Sequence, residues 1–236
     1  MIFLKKITDL YAFPPVIHGY HCPIVESMTN PGSDSGTQIT PADPSHIPAV
    51  IDLLVATFAD DPGFLRWIPQ PDPGNHLLRG LFELQMETQY ACYGTIDMAL
   101  NEVGDIVGVA LWDAPDANHG AVDQARLASR MVRLFGRNTP VFMARSFASA
   151  RMHPKFPHWY LYTIASTPES RGTGVGSALL NHGIARAGEE AIYLEATTTR
   201  SAKLYQRLGF VPLGYIPDND DMPSELAMWK PPVMPR

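Results

Sequence analysis

Apolar residues step along the first third of the chain by three and four. Ile47, Val50, Ile51, Leu54, Val55 and Phe58 predict a helix within PADPSHIPAVIDLLVATFADDP, after a short strand in TQIT. GNHLLRGLFELQMETQYAC predicts a second amphipathic helix through Leu77, Leu78, Leu81, Phe82 and Gln85. The pattern then shortens. TIDMALNEVGDIVGVALW, residues 95–112, reads as two strands folded at Glu102–Asp105, with Gly104 supplying the turn. Residues 120–136 and 140–151 read as helices. HWYLYTIAST, rich in aromatic and β-branched residues and bounded by Pro157 and Pro168, predicts a strong strand. After it come a glycine loop, a helix of about 14 residues, a strand in AIYLEAT, a helix in SAKLYQRL, and a strand pair around FVPLGY and SELAMWK. No internal repeat shows. The alternation in the C-terminal half predicts an α/β fold with neighbouring parallel strands.

Composition narrows the classes. A chain of 236 residues fits one large domain, or one domain with an extension. From Met28 the sequence MTNPGSDSGTQITPADPSH has linker composition. Residues 1–37 are therefore expected to form a flexible N-terminal extension, with Met28 as an alternative start, and 38–236 the folded domain. A net charge of −6 and a pI near 5.7 argue against a nucleic-acid partner, while leaving room for a local pocket for one small polyanion. Cys22 and Cys92 match no metal spacing, so no metal is expected and a reducing, cytoplasmic setting is. Lys5, Lys6, Asp9 and Pro14–Pro15 interrupt the apolar N-terminus, and no segment offers eighteen successive apolar residues. A soluble protein without a membrane partner is the expectation.

The candidate chemistry begins at TPESRGTGVGSALL, residues 167–180. A dinucleotide loop wants G-x-G-x-x-G, but after Gly172 and Gly174 that frame reaches Ser177. Glu195 lies where a ribose-binding acid would stand, yet only two further strands follow, too few for a dinucleotide half-sheet. A P-loop needs a lysine after its glycines, and none is present. What remains is Arg-x-x-Gly-x-Gly, with Arg171, Gly174 and Gly176, between a strand and a helix. Glycines admit positive φ and close approach, and the helix N-terminus offers unpaired N–H groups, a combination suited to a pyrophosphate. The plainer reading is a turn that packs helix on strand.

RGTGVG after a strand ending in TIASTP, followed about thirty residues later by SAKLYQRLGF, resembles the GNAT superfamily of acetyl-CoA-dependent N-acetyltransferases. ATFADDP, VALWDAP, GAVDQARLASRM and YLEATTTRSAKLYQRLGF extend the likeness, from about Gln38 to Pro231, toward puromycin N-acetyltransferase and its relatives. The resemblance implies a mixed central sheet in which Tyr160–Ser166 carries a bulge and splays from its parallel neighbour, Ala191–Ala196. It places the pantetheine arm of acetyl-CoA in that cleft, against backbone near Ile164 and Ser166. It places the pyrophosphate on Arg171, Gly172, Thr173, Gly174, Val175 and Gly176, with Ser177 as a hydroxyl donor. Two positions depart from the family pattern. Ser166 replaces a usual Val at a backbone contact, and Thr198 stands where many members have Asn.

Acetylating an amine requires a neutral nucleophile and a proton for the departing thiolate. Alkyl ammonium groups resemble Lys, with a pKa of about 10.4, and the thiol resembles Cys, about 8.5, so proton transfer is needed on both sides. Tyr205, in LYQRLGF, is the family's usual acid. Its spacing alone favours a core residue, with Leu204 and Leu208 on one face and Ser201 one turn away as a second hydroxyl near the sulfur. Glu195, at the end of the second splayed strand, is the candidate base. Its alternatives are a salt bridge to Arg200, a cap on the next helix, or deprotonation through ordered water. His158 and Tyr162 are further candidates for the cleft lining, and Asp60 and Asp61 either face the amine entrance or end a helix before Pro62. Trp67, Trp112 and Trp159 add apolar area to core or pocket wall. The helices at 120–151 suggest a lid over a pocket, and so a small-molecule amine, antibiotic-like compounds among them, in a monomer or homodimer. Acetylation of a protein or peptide, and a non-catalytic acyl-CoA-binding module, are the alternatives.

Overall fold

The structure is a computed structural model describing residues 37–90, 94–115, 121–217 and 224–233. All but the last residue of the expected N-terminal extension, and both cysteines, lie outside the described residues. Seven strands form one sheet: β1 (Gln38–Pro41), β2 (Gly94–Leu100), β3 (Ile106–Asp113), β4 (Trp159–Ser166), β5 (Ile192–Ala196), β6 (Val211–Tyr215) and β7 (Leu226–Lys230). Their order is β1-β2-β3-β4-β5-β7-β6. Every neighbouring pair is antiparallel except β4 and β5. The expected parallel contact is therefore confined to one pair, in a mixed sheet.

Side-chain alternation along β3 feeds two separate cores. On one face Val109 and Leu111 meet α1 (Ile47–Phe58), through Val50, Leu54 and Phe58, and α3 (His76–Gln85), through Leu78, Leu81 and Phe82. On the other, Ala110 and Trp112 meet Leu179 and Leu180 of α6 (Val175–Ala187) and Ala202 and Tyr205 of α7 (Thr199–Arg207). Trp112 is thus core rather than pocket wall. α6 comes close because residue 183 is glycine: a Cβ there would stand 2.1 Å from the Trp112 ring. Arg186, on the same helix, clasps Asp97 of β2 through two bonds of 2.7 and 2.8 Å, and Asp97 is only 1% exposed. Removing one partner of such a buried pair costs about 3–5 kcal/mol, which pins α6 to the sheet.

Two local differences from the sequence reading have clear causes. Asp61 ends nothing. Its Oδ1 accepts from the N–H groups of Gly63 (2.9 Å) and Phe64 (3.2 Å), capping a short helix, α2 (Pro62–Trp67), with Pro62 in its first turn. The second amphipathic helix begins after a turn of 3-10 helix, Pro73–Asn75, and widens into a π-helical turn at Met86–Tyr90. α4 (Ala121–Phe135) and α5 (Thr139–Met152) appear where expected, linked by a 3-10 turn.

Candidate active site

The one parallel strand pair among the described residues holds together briefly. β4 and β5 pair at Trp159 with Ile192, Tyr160 with Tyr193, and Leu161 with Leu194, and no further. The β4–β3 register shifts just there: Leu111 faces Thr163 while Trp112 faces Leu161, so Tyr162 is the extra residue of a bulge. Beyond it β4 follows β3 and β5 follows β7. The result is a V-shaped opening, with Ile164 and Ser166 on one arm and Glu195 and Ala196 on the other.

At the mouth of the V, β4 leads into a short 3-10 turn, Pro168–Ser170, and then into the glycine loop. Gly172 has φ +86° and Gly174 φ +99°, conformations that side-chain-bearing residues rarely adopt. Gly174 is the N-cap of α6 and gives no side-chain cap, and Ala178 N donates to Gly174 O to close the first helical turn. The N–H groups of Val175, Gly176 and Ser177 thus lie in the unpaired first turn. Apart from the adjoining backbone, no heavy atom lies within 4 Å of where a Cβ would stand on Gly172, Gly174 or Gly176. Arg171 and Thr173 are exposed, whereas Val175 is buried and holds the helix start down on the sheet. This open cradle of N–H groups at the positive end of a 13-residue helix fits a phosphate-bearing ligand.

Glu195 faces away from α7. Ser149 Oγ of α5 donates to its Oε1 at 2.7 Å, Tyr193 OH to the same oxygen at 3.1 Å, and Tyr160 OH to Oε2 at 3.3 Å. His153 Nε2 stands 3.8 Å from Oε1. That contact carries no charge at neutral pH, because burial pulls the His153 imidazole down to about 3. Burial raises Glu195 above the ordinary carboxylate range, and the three hydroxyl donors offset only part of that. Neither the bridge to Arg200 nor the helix cap is observed. The cap on α7 is Thr198, whose side chain accepts from Ser201 N while Ser201 Oγ accepts from Thr198 N. Ser201 Oγ also donates to Thr198 O at 2.9 Å, so any contact from it to a ligand competes with the capping box.

Tyr205 is 5% exposed and sits among Leu194, Ala196 and Phe210, its ring 5.9 Å from that of Phe210. Its hydroxyl makes no hydrogen bond among the described residues, and burial raises its pKa above that of an ordinary phenol. His158 packs beside Tyr193 and Trp229 and bonds the Phe156 carbonyl. Tyr162 is bonded by Gln85 of α3. Trp159 Nε1 donates to Glu190, and Trp67 packs edge-on against Phe142.

A model of the Acetyltransferase (GNAT) family matches residues 64–210, more than half of the chain. The chain belongs to the GNAT acetyltransferase family. A solved structure from Corynebacterium glutamicum, described as histone acetyltransferase HPA2 and related acetyltransferase, is 60% identical over 85% of this chain and 98% of its own, with a TM-score of 0.72. Arylalkylamine N-acetyltransferase 2 from Aedes aegypti has 18% identity and a TM-score of 0.57 over 83% of this chain and 99% of its own, and shares the fold. The C-terminal condensation domain of Ebony, solved with beta-alanyl-dopamine, shares it too, at 15% identity and TM-score 0.59 over 82% of this chain and 98% of its own. The family makes the chain an acyltransferase enzyme, and GNAT members normally take acetyl-CoA as cosubstrate. Likeness to puromycin N-acetyltransferase in particular stays a sequence resemblance. Among the described residues no helix is long and apolar enough to cross a membrane, and no group of three His, Cys, Asp or Glu is placed to hold a metal ion.

Sequence reasoning missed the residues that surround Glu195. Tyr193 was within reach, two residues before Glu195 on one strand face. Ser149 lies on α5 and His153 just past its end, but nothing in the sequence says which strand they meet.

Proposed function

We propose that this GNAT enzyme transfers the acetyl group of acetyl-CoA directly to the amine of a small molecule. In this reading the N–H groups from Gly172 to Ser177 and the side chain of Arg171 hold the pyrophosphate. The backbone of Ile164 and Ser166 lines the arm that reaches into the V. Glu195, directly or through water, takes a proton from the ammonium, and the neutral nitrogen attacks the thioester carbon. As the C–S bond breaks, the Tyr205 hydroxyl donates to the sulfur, and the second proton that the nitrogen sheds as the amide forms restores the phenol through solvent. Burial keeps that phenol protonated, and the same dry surroundings make the departing thiolate a stronger base, so the proton has somewhere to go.

One observation carries the preference for a small acceptor. α5 lies across the site, its Ser149 bonded to Glu195 and its Ala148 and Met152 packed with Tyr160, Tyr193 and Trp229. That covering suits an enclosed pocket rather than an open peptide groove. The description of the Corynebacterium relative favours a second reading, in which the acceptor is a lysine of a protein. Thiol release from acetyl-CoA, measured with simple alkylamines, arylalkylamines and puromycin beside lysine-bearing histone-tail peptides, decides between them. Faster turnover of a small amine is expected; turnover confined to the peptides would overturn the proposal.

A further inference from the structure

Of the five buried side-chain atoms that lack a hydrogen-bond partner among the described residues, three belong to one cluster: Gln85 Oε1, Tyr90 OH and Asp113 Oδ1. Gln85 is 8% exposed and Tyr90 5%. The cluster is built rather than accidental. The π-helical turn brings residues 85, 89 and 90 to one side, so that Gln85 bonds the Tyr162 hydroxyl and Gln89 Nε2 donates to Asp113 Oδ2 at 2.8 Å. Gly94 makes room for the Tyr90 ring, since a Cβ there would fall 2.2 Å from it.

Two of the orphaned atoms, Gln85 Oε1 and Asp113 Oδ1, can only accept. The Tyr90 hydroxyl lies beside Asp113 and has a single proton, so it can satisfy at most one of them. Among the described residues no lysine or arginine pairs with Asp113. Burial therefore raises its carboxyl to about 6, still ionised at neutral pH. The Tyr90 and Tyr162 rings, 6.2 Å apart, belong to the same cluster and can offer a cation their π systems. A carboxylate, an amide oxygen and two aromatic rings, with more acceptor atoms than the neighbouring donors satisfy, have the chemistry of a site for an organic cation.

The position relates the cluster to the reaction. Asp113 faces Tyr160, and Tyr160 faces Tyr193, two residues from Glu195. Two inter-strand spacings across the sheet and two residues along β5 put the two positions roughly 12 Å apart. Resting on the small-amine reading above, we infer that Asp113, Gln85 and Tyr90 receive a second cationic nitrogen of the acceptor. The preferred substrates are then diamines, or amines with a distant ammonium or guanidinium group, rather than monoamines.

Matched pairs test this: putrescine against butylamine, and cadaverine against pentylamine, by thiol release from acetyl-CoA. The wild-type enzyme should favour the diamine in kcat/KM by about tenfold or more. In Asp113→Asn that ratio should fall to about twofold or less, with most of the change in KM for the diamine. Tyr90→Phe is the second variant, should Asp113→Asn not fold, and should lower the ratio more weakly. A wild-type ratio near one overturns the inference while leaving small-amine acetylation intact, and so does a ratio unchanged in the variants. Acetylation of peptides alone, with no amine of either pair turned over, overturns both.

Discussion

Glu195 and Tyr205 stand on opposite faces of the same strand. Glu195 shares its face of β5 with Tyr193, under α5, while Leu194 and Ala196 on the other face pack with Tyr205 of α7. A group held in the opening between β4 and β5 is reached from both sides. In the mechanism proposed above, proton removal and proton delivery are thereby kept apart.

Glu195→Gln should remove the acidic limb of the pH profile. Burial raises the carboxyl, so the base form appears only above the ordinary carboxylate range, and wild-type kcat/KM should climb with pH through that raised value. The glutamine variant should be slower by about a hundredfold and lack that limb. A profile with the wild-type acidic limb intact assigns the base to another group.

Tyr205→Phe separates chemistry from packing. The hydroxyl has no hydrogen-bond partner among the described residues, so its loss should leave the thermal midpoint within about 2 °C of wild type. The rate kcat should drop about a hundredfold, with acetyl-CoA affinity almost unchanged. Wild-type kcat in the variant would make Tyr205 a core residue and no more.

The glycine loop offers a matched pair of substitutions. Gly176 has ordinary φ and open space around its Cβ position, so Gly176→Ala should fold normally while its methyl group crowds the N–H cradle. Calorimetry should show acetyl-CoA binding weakened about tenfold or more without loss of stability. Gly174→Ala, at φ +99°, should weaken binding and also destabilise the fold by about 1–2 kcal/mol.

Asp113→Asn should stabilise the protein at neutral pH. The carboxyl is raised from 3.8 to about 6 in the folded state by burial. Between those values the folded chain binds more protons than the unfolded one, so stability falls as pH rises through the window. The full penalty, at most about 3 kcal/mol, is present above it. Thermal unfolding should show the variant ahead of wild type by several degrees at pH 8, with the gap closing toward pH 4. Equal midpoints at pH 8 would contradict the burial of an ionised carboxylate there.

The sequence made much of this legible because its signals were local. The Gly172–Gly174–Gly176 spacing marks the loop, three-and-four periodicity marks the buried faces of α1 and α3, and Leu204–Tyr205 before Gly209 marks the last helix. Other features depend on contacts remote in sequence. Asp61 reads as a helix end until the N–H groups of Gly63 and Phe64 turn back to it. The environment of Glu195 is invisible in YLEATT, because Ser149 and Tyr160 arrive from distant segments. The widening at Met86–Tyr90 has no periodic signature, since METQY continues a helical pattern while its backbone follows Asp113 and Tyr162.

A crystal structure of the protein with acetyl-CoA tests the central claim most directly. Pyrophosphate oxygens should lie about 3 Å from the N–H groups between Gly172 and Ser177. The sulfur should lie between β4 and β5, within about 4 Å of the Tyr205 hydroxyl, with the thioester carbonyl open to the Glu195 side. Phosphates bound away from the glycine loop, or a sulfur remote from Tyr205, would contradict it.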